Sequence, residues 1–203
     1  PTLFKTDEGP RRDTSIEALG NLKAGLERAI HTVQQLLALA RNEAGARLCA
    51  FTEISLAEVL RQVVADHTTL ADAKEIDLGV SVLDPAATIM GDGDSLRTLL
   101  ANLVANALCY TPAGGKVDVS CGIDAGGVWL EVADNGPGIP ADERERVFDR
   151  FYRRSGQNPS GSGLGLAIVR TIARRHKAQV RLNDTPGGGL TARIVFPGTA
   201  RPA

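Results

Sequence analysis

The chain has 203 residues, 43% of them hydrophobic, and its 23 basic against 24 acidic side chains leave a formal net charge of -1. That length suits one globular domain plus an appendage and is too short for several large domains. The balanced charge gives no basic field for nucleic acid, and no polybasic run or strongly basic amphipathic helix marks a membrane surface. The longest apolar stretches fall far below the roughly 20 residues that cross a bilayer, and no signal-peptide pattern opens the chain. Cys49, Cys109 and Cys121, odd in number and without C-x-x-C spacing, fit a reducing compartment, so a cytoplasmic location is expected. The first residues, "PTLFKTDEGPRRDT", begin at Pro1 instead of Met, and the expectation is a piece of a longer protein.

In chain order, "TSIE" from Thr14 is a capping box that predicts a helix start. Leu19, Leu22, Leu26, Ala29, Val33, Leu36 and Ala40 then follow at spacings of three and four, a heptad seam that ends near "NEAG". Such a helix either lies on the following domain or packs against an antiparallel partner helix from upstream sequence or a second chain. "GARLCAFTEI" holds a short strand, and "SLAE" at 55–58 is a second capping box opening a helix to about Ala73. "IDLGVSV" and "ATIMGD" are strands on either side of a turn at Asp84-Pro85. Residues 94–110 form the next helix, and "KVDVSCGID" and "GVWLEVADN" alternate at period two as a hairpin. After a loop-rich stretch at 135–163, "LGLAIVRTIARRHK" is helical, and "AQVRLND" and "LTARIVF" flank the turn "TPGGG". The fold class is a mixed α/β two-layer sandwich with helices on one face of a sheet and an N-terminal helical appendage.

Three stretches carry chemistry. On the helix at 94–110, Leu96, Leu99, Leu100, Leu103, Ala107 and Leu108 occupy the apolar arc, while Thr98, Asn102, Asn106 and Cys109 share a narrow stripe beside it. Two asparagines at i and i+4 are a solvated edge, a local hydrogen-bonded pair, or a ligand site. "DNGPGIP" at 134–140 follows a hydrophobic strand directly. It is either a tight turn or a carboxylate aimed into a cleft whose glycines admit a flat ring. "GSGLGLAIV" at 161–169 places Gly161, Gly163 and Gly165 at the start of a helix, where N–H groups and the dipole favour an anion. It lacks the Gly-Lys-Ser/Thr of a Walker A loop. No strand precedes it directly, and Leu166 stands where a dinucleotide fingerprint needs its third glycine.

In this order the stretches resemble the ATP-binding catalytic domain of bacterial two-component sensor histidine kinases, within the superfamily that includes gyrase, a heat-shock chaperone and MutL. "NLVANALCYTP" is similar to the N box, "DNGPGIP" to the G1 box, "VFDRFYR" at 147–153 to the F box, "GSGLGLAIV" to the G2 box, and "TPGGGLTARIVFP" to the closing segment. The resemblance covers about residues 50–197 and implies a Bergerat-type fold for residues 48–203. The heptad helix at about 15–42, within an appendage of residues 1–47, resembles the second helix of the dimerisation and phosphoacceptor hairpin. By resemblance the catalytic pair is Asn106, a ligand of Mg²⁺ bridging the ATP phosphates, and Asn102, which supports phosphate or metal. Tyr110 corresponds to the aromatic beside the adenine, Asp134 to the acceptor of the adenine amino proton, and Gly136, Gly138 and Ile139 to the surrounding loop. Arg153 and Arg154 correspond to lid cations, and Gly161, Gly163, Leu164, Gly165 and Leu166 to the phosphate-facing hinge.

The implied cofactors are ATP and Mg²⁺, and the implied partners a phosphoacceptor helix outside this chain, a response-regulator receiver domain and a second copy joined through the heptad helix, with no nucleic acid. The parent protein is expected in the bacterial inner membrane. His31, His67 and His176 all lack the acidic neighbour and Thr/Ser-Pro that follow a phosphoacceptor histidine, so autophosphorylation on this chain's own residues is not expected. A nucleotide-binding or dimerisation module without phosphotransfer is the alternative. An ATPase of the gyrase kind needs a glutamate in the N-box helix, and "DSLRTLLANLVANA" has none. Phe148 and Phe151 are lid anchors by resemblance or plain core aromatics, with packing the expectation for both; Trp129 is expected in the core, and His176 to interact with a helix C-terminal dipole. Ala105 and Cys109 depart from the family pattern, and Cys109 replaces a basic residue that reaches the phosphates.

Overall fold

The computed structural model describes residues 51–153 and 162–197. The heptad helix, the 1–47 appendage, Cys49, Arg154 and Gly161 lie outside the described residues. Strand β1 (Thr52–Ser55) leads into helix α1 (Leu56–Ala73), whose N-cap is Ser55, its hydroxyl accepting from the Glu58 N–H at 3.4 Å. The capping box is completed on one side only, because the Glu58 carboxylate pairs with Arg61. Strands β2 (Asp77–Leu83) and β3 (Thr88–Gly91) flank the turn at Asp84, where the Asp84 carboxylate accepts from the Ala86 N–H. Helix α2 (Gly93–Tyr110) begins at an Asp92 cap that accepts from the Ser95 N–H and hydroxyl. Strands β4 (Lys116–Asp124) and β5 (Gly127–Asp134) form the hairpin. A one-turn 3₁₀ helix at Arg146–Phe148, helix α3 (Gly165–Arg175) and strands β6 (Gln179–Asp184) and β7 (Leu190–Phe196) complete the domain.

The five-stranded sheet has the order β2-β4-β5-β7-β6, with β2 parallel to β4 and every other pair antiparallel. Strand β3 leaves this sheet after the Asp84 turn and pairs with β1, so the two strands flanking that turn belong to different sheets. Period-two alternation sends Val128, Leu130 and Val132 of β5 and Ala192, Ile194 and Phe196 of β7 to the buried face, where α2 contributes Leu99, Leu100, Leu103 and Leu108. Burying one such leucine is worth roughly 1.5–3 kcal/mol, so this seam fixes α2 against the sheet.

The same alternation corrects one expectation. Trp129 sits one residue out of phase with the core, on the open face of the sheet, where its ring covers Gly122 and lies 4.2 Å under the Arg193 guanidinium. Phe148 is buried as expected, but Phe151 is 61% exposed at a positive φ of 63°. Its N–H donates to the Gly163 carbonyl, 2.9 Å away. His176 caps the C-terminus of α3, as expected, but does so as a neutral ring. Its Nδ1 faces the Ile172 carbonyl at 2.9 Å and must donate, its Nε2 accepts from the Asp92 N–H at 3.1 Å, and burial lowers its pKa, so the ring is neutral.

Candidate functional site

One cavity of about 500 Å³ opens between α2, the end of β5, the start of α3 and β7. Helical geometry brings Thr98, Asn102, Asn106 and Cys109 onto one stripe, and all four line it. The Asn102 Nδ2 donates to the Thr98 carbonyl one turn back at 2.8 Å, which fixes the amide plane. Opposite them lies the first residue of α3. A Cβ on Gly165 would stand 3.2 Å from Asn102 Oδ1 and 3.4 Å from the Asn106 amide, so glycine lets the helix N-terminus reach both amides. Ser162 Oγ accepts from the Leu164 N–H at 3.2 Å and braces the turn before it. Free N–H groups and the helix dipole make this corner favourable to negative charge.

The other end is built from β5 and β7. Asp134 is buried, and its Oδ1 accepts from the Gly136 N–H at 2.9 Å and the Leu190 N–H at 3.2 Å. Burial raises its pKa, and the two backbone donors pull the other way. Oδ2 has no protein donor among the described residues, and Asp134 lines the cavity, so this oxygen is available to a ligand amine or hydroxyl. The approach of β7 depends on Gly189, at φ 110°, where a Cβ would fall 1.9 Å from the Asp134 carbonyl oxygen. Gly138, at φ 66°, crosses the Gly189 carbonyl, where a Cβ would stand 2.9 Å from its oxygen. Ile139, Leu190 and Ala192 give this end an apolar floor, and Tyr110, 41% exposed, stands at its lip.

Of the residues expected in a site, Asn102, Asn106, Tyr110, Asp134, Gly138, Ile139, Arg153, Gly163, Gly165 and Leu166 line this one cavity. Gly136 does not line it and acts through its bond to Asp134; Leu164 is fully buried as the α3 N-cap. Sequence reasoning missed Leu190, whose backbone orients Asp134, and Tyr152, a cavity wall whose hydroxyl donates to Glu143 at 3.1 Å. It also gave no role to His67. That residue interrupts the α1 arc of Leu56, Leu60, Val63 and Ala71, and a polar side chain on that arc was the signal available.

A buried carboxylate at a strand end, two asparagines one helical turn apart and a glycine-started helix form a polar cleft with an apolar floor. The family profile described as histidine kinase-, DNA gyrase B- and HSP90-like ATPase matches residues 91–200, more than half of the chain. The chain belongs to this ATPase family. It is 36% identical to sensor protein QseC of Escherichia coli K12 over 178 residues, 88% of this chain and 39% of that protein. Among solved structures, the mycobacterial sensor histidine kinase MprB is 33% identical with a TM-score of 0.62, over 73% of this chain and 97% of that one. Full-length ShkA in complex with AMPPNP is 29% identical with a TM-score of 0.74, over 100% of this chain and 42% of that one. The chain is thus homologous to sensor histidine kinases, and it spans about two fifths of the length of the curated relatives it matches. No helix among the described residues is long and apolar enough to cross a membrane.

Proposed function

We propose that this chain is the ATP-binding catalytic portion of a two-component sensor histidine kinase, which holds Mg-ATP for transfer of the γ-phosphoryl group to a histidine supplied by a helix outside the chain, and from there to a response regulator. The observation that carries the reading is the pairing of opposite chemistries in one cavity. Asp134 offers a lone carboxylate oxygen over an apolar floor at one end, and Asn102 and Asn106 meet the α3 N-terminus at the other. The first end suits a flat base with an exocyclic amine; the second suits phosphates. The AMPPNP in the ShkA structure, an ATP analogue, supports this choice of ligand class.

The donor set also fits Mg²⁺. No cluster of three or more His, Cys, Asp or Glu that could hold a metal exists among the described residues, and amide oxygens suit a hard ion that takes most of its ligands from phosphate and water. Bound Mg²⁺ would neutralise phosphate charge during transfer. Asn106 and Asn102 would present their oxygens to it, the α3 N–H groups would orient the phosphates, and Arg153, on the cavity wall, would add a cation as charge develops. Asp134 would fix the base, and through it the distance from base to reacting phosphorus.

The heptad helix remains the proposed dimerisation element. Supplying γ-labelled ATP to the chain joined to its own phosphoacceptor helix tests the reading. Acid-labile label on a histidine, lost in Asn106→Ala, is the expected result; ADP release with no labelled protein would contradict it.

A further inference from the structure

Helices α1 and α2 run side by side in the same direction. Asp66 pairs with Arg97 at one end of their contact, and Lys74 Nζ donates to the Leu108 carbonyl at 2.8 Å at the other. His67 therefore stands level with the first turns of α2 and joins Thr98, Ala101 and Asn102 in the cavity wall. Tyr110 and Asp134 mark the opposite end. Thr98 and Tyr110 are twelve residues apart on α2, about 18 Å along its axis. A nucleotide with its base at Asp134 and its phosphates at Asn106, Asn102 and the α3 N-terminus directs its last phosphoryl group toward His67.

The ring is oriented for that position. Nδ1 lies 2.8 Å from the Val63 carbonyl, which can only accept, so Nδ1 carries a proton and Nε2 is the nitrogen left for a ligand. Nε2 has no partner among the described residues. Along the described wall of the cavity, His67 and Arg153 are the only basic side chains, and Cys109 supplies no cation. A triphosphate brings several negative charges to a wall with few positive ones.

We propose that His67 is a phosphate-contacting residue of this site, its Nε2 meeting the terminal phosphoryl group of a nucleoside triphosphate through one proton held between that nitrogen and a phosphoryl oxygen. The inference rests on the nucleotide reading above and adds a discriminator between triphosphate and diphosphate. Calorimetric titration of the chain with Mg-ATP and with Mg-ADP tests it, comparing wild type with His67→Asn, which retains a donor for the Val63 carbonyl and loses Nε2, and with His67→Gln, which keeps a donor near the Nε2 position. Losing one charge-assisted hydrogen bond lowers ATP affinity about tenfold in His67→Asn. ADP affinity and melting temperature stay unchanged, and His67→Gln recovers part of the loss. Equal losses for ATP and ADP, or no loss for ATP, overturn the proposal while leaving the nucleotide reading intact. Wild-type chain that binds neither nucleotide overturns both.

Discussion

At the Asp134 end of the cavity the wall is made of backbone, whereas at the Asn106 end it is made of side chains on a helix surface. The first end depends on β5 and β7 approaching so closely that Gly189 and Gly138 leave no space for a Cβ, and the carboxylate is held by two main-chain N–H groups. The second depends on the 3.6-residue period of α2 and on one glycine at the start of α3. The proposed recognition of a base is thus coupled to the fold of the sheet, while the end proposed for the phosphates can be altered with little effect on stability.

The largest expected effect is at the backbone end. Gly189→Ala places a methyl group against the Asp134 carbonyl at a backbone angle that disfavours it. A loss of about 3 kcal/mol follows, and thermal denaturation registers a fall of about 10 °C together with lost nucleotide binding.

Asp134→Asn separates binding from stability at the same end. Burial raises the Asp134 pKa in the folded chain above its unfolded value, so the folded state takes up the proton more readily. The stability this group contributes is full below the unfolded pKa and falls as pH rises through the folded one. The variant therefore loses nucleotide affinity at least about tenfold, yet at neutral pH it melts no lower than wild type. Melts repeated in acid, below the usual carboxylate range, show any advantage of the variant disappearing as wild-type Asp134 becomes protonated.

The side-chain end responds differently. Asn106→Ala removes a half-buried surface amide, so its melting temperature stays within the small range of surface substitutions while the Mg²⁺ dependence of ATP binding is lost. A parallel fall in stability would place Asn106 in the framework and end the contrast between the two regions. The smallest effect is at Cys109, which lines the cavity at a position where the family resemblance implies a basic residue. Cys109→Arg raises ATP affinity about threefold, the worth of one exposed charge contact. Unchanged affinity in calorimetry would show that no phosphate contact is vacant there.

The two regions were also unequally legible. The end proposed for the phosphates is local in sequence: the capping box at Ser55 opens α1, and the spacing of Thr98, Asn102, Asn106 and Cys109 alone puts four cavity residues on one stripe. The base end is not local. "TPGGG" reads as a turn, and nothing near it announces that Gly189 passes the Asp134 carbonyl or that Leu190 donates to a carboxylate 56 residues earlier. Those contacts follow from the register of β7 on β5, which pairs Ala133 with Thr191. Phase errors account for the rest. Trp129 was expected in the core for its size, but period two places it on the open face. β2 and β3 flank a turn, yet their pairing was decided by β4 and β1.

Titrating the chain with ATP in a calorimeter, with Mg²⁺ and then with a chelator, tests the central claim most directly. The account predicts one site per chain whose affinity rises with Mg²⁺ and collapses in Asp134→Asn. Absence of any binding heat, or affinity equal in wild type and Asp134→Asn, would contradict it.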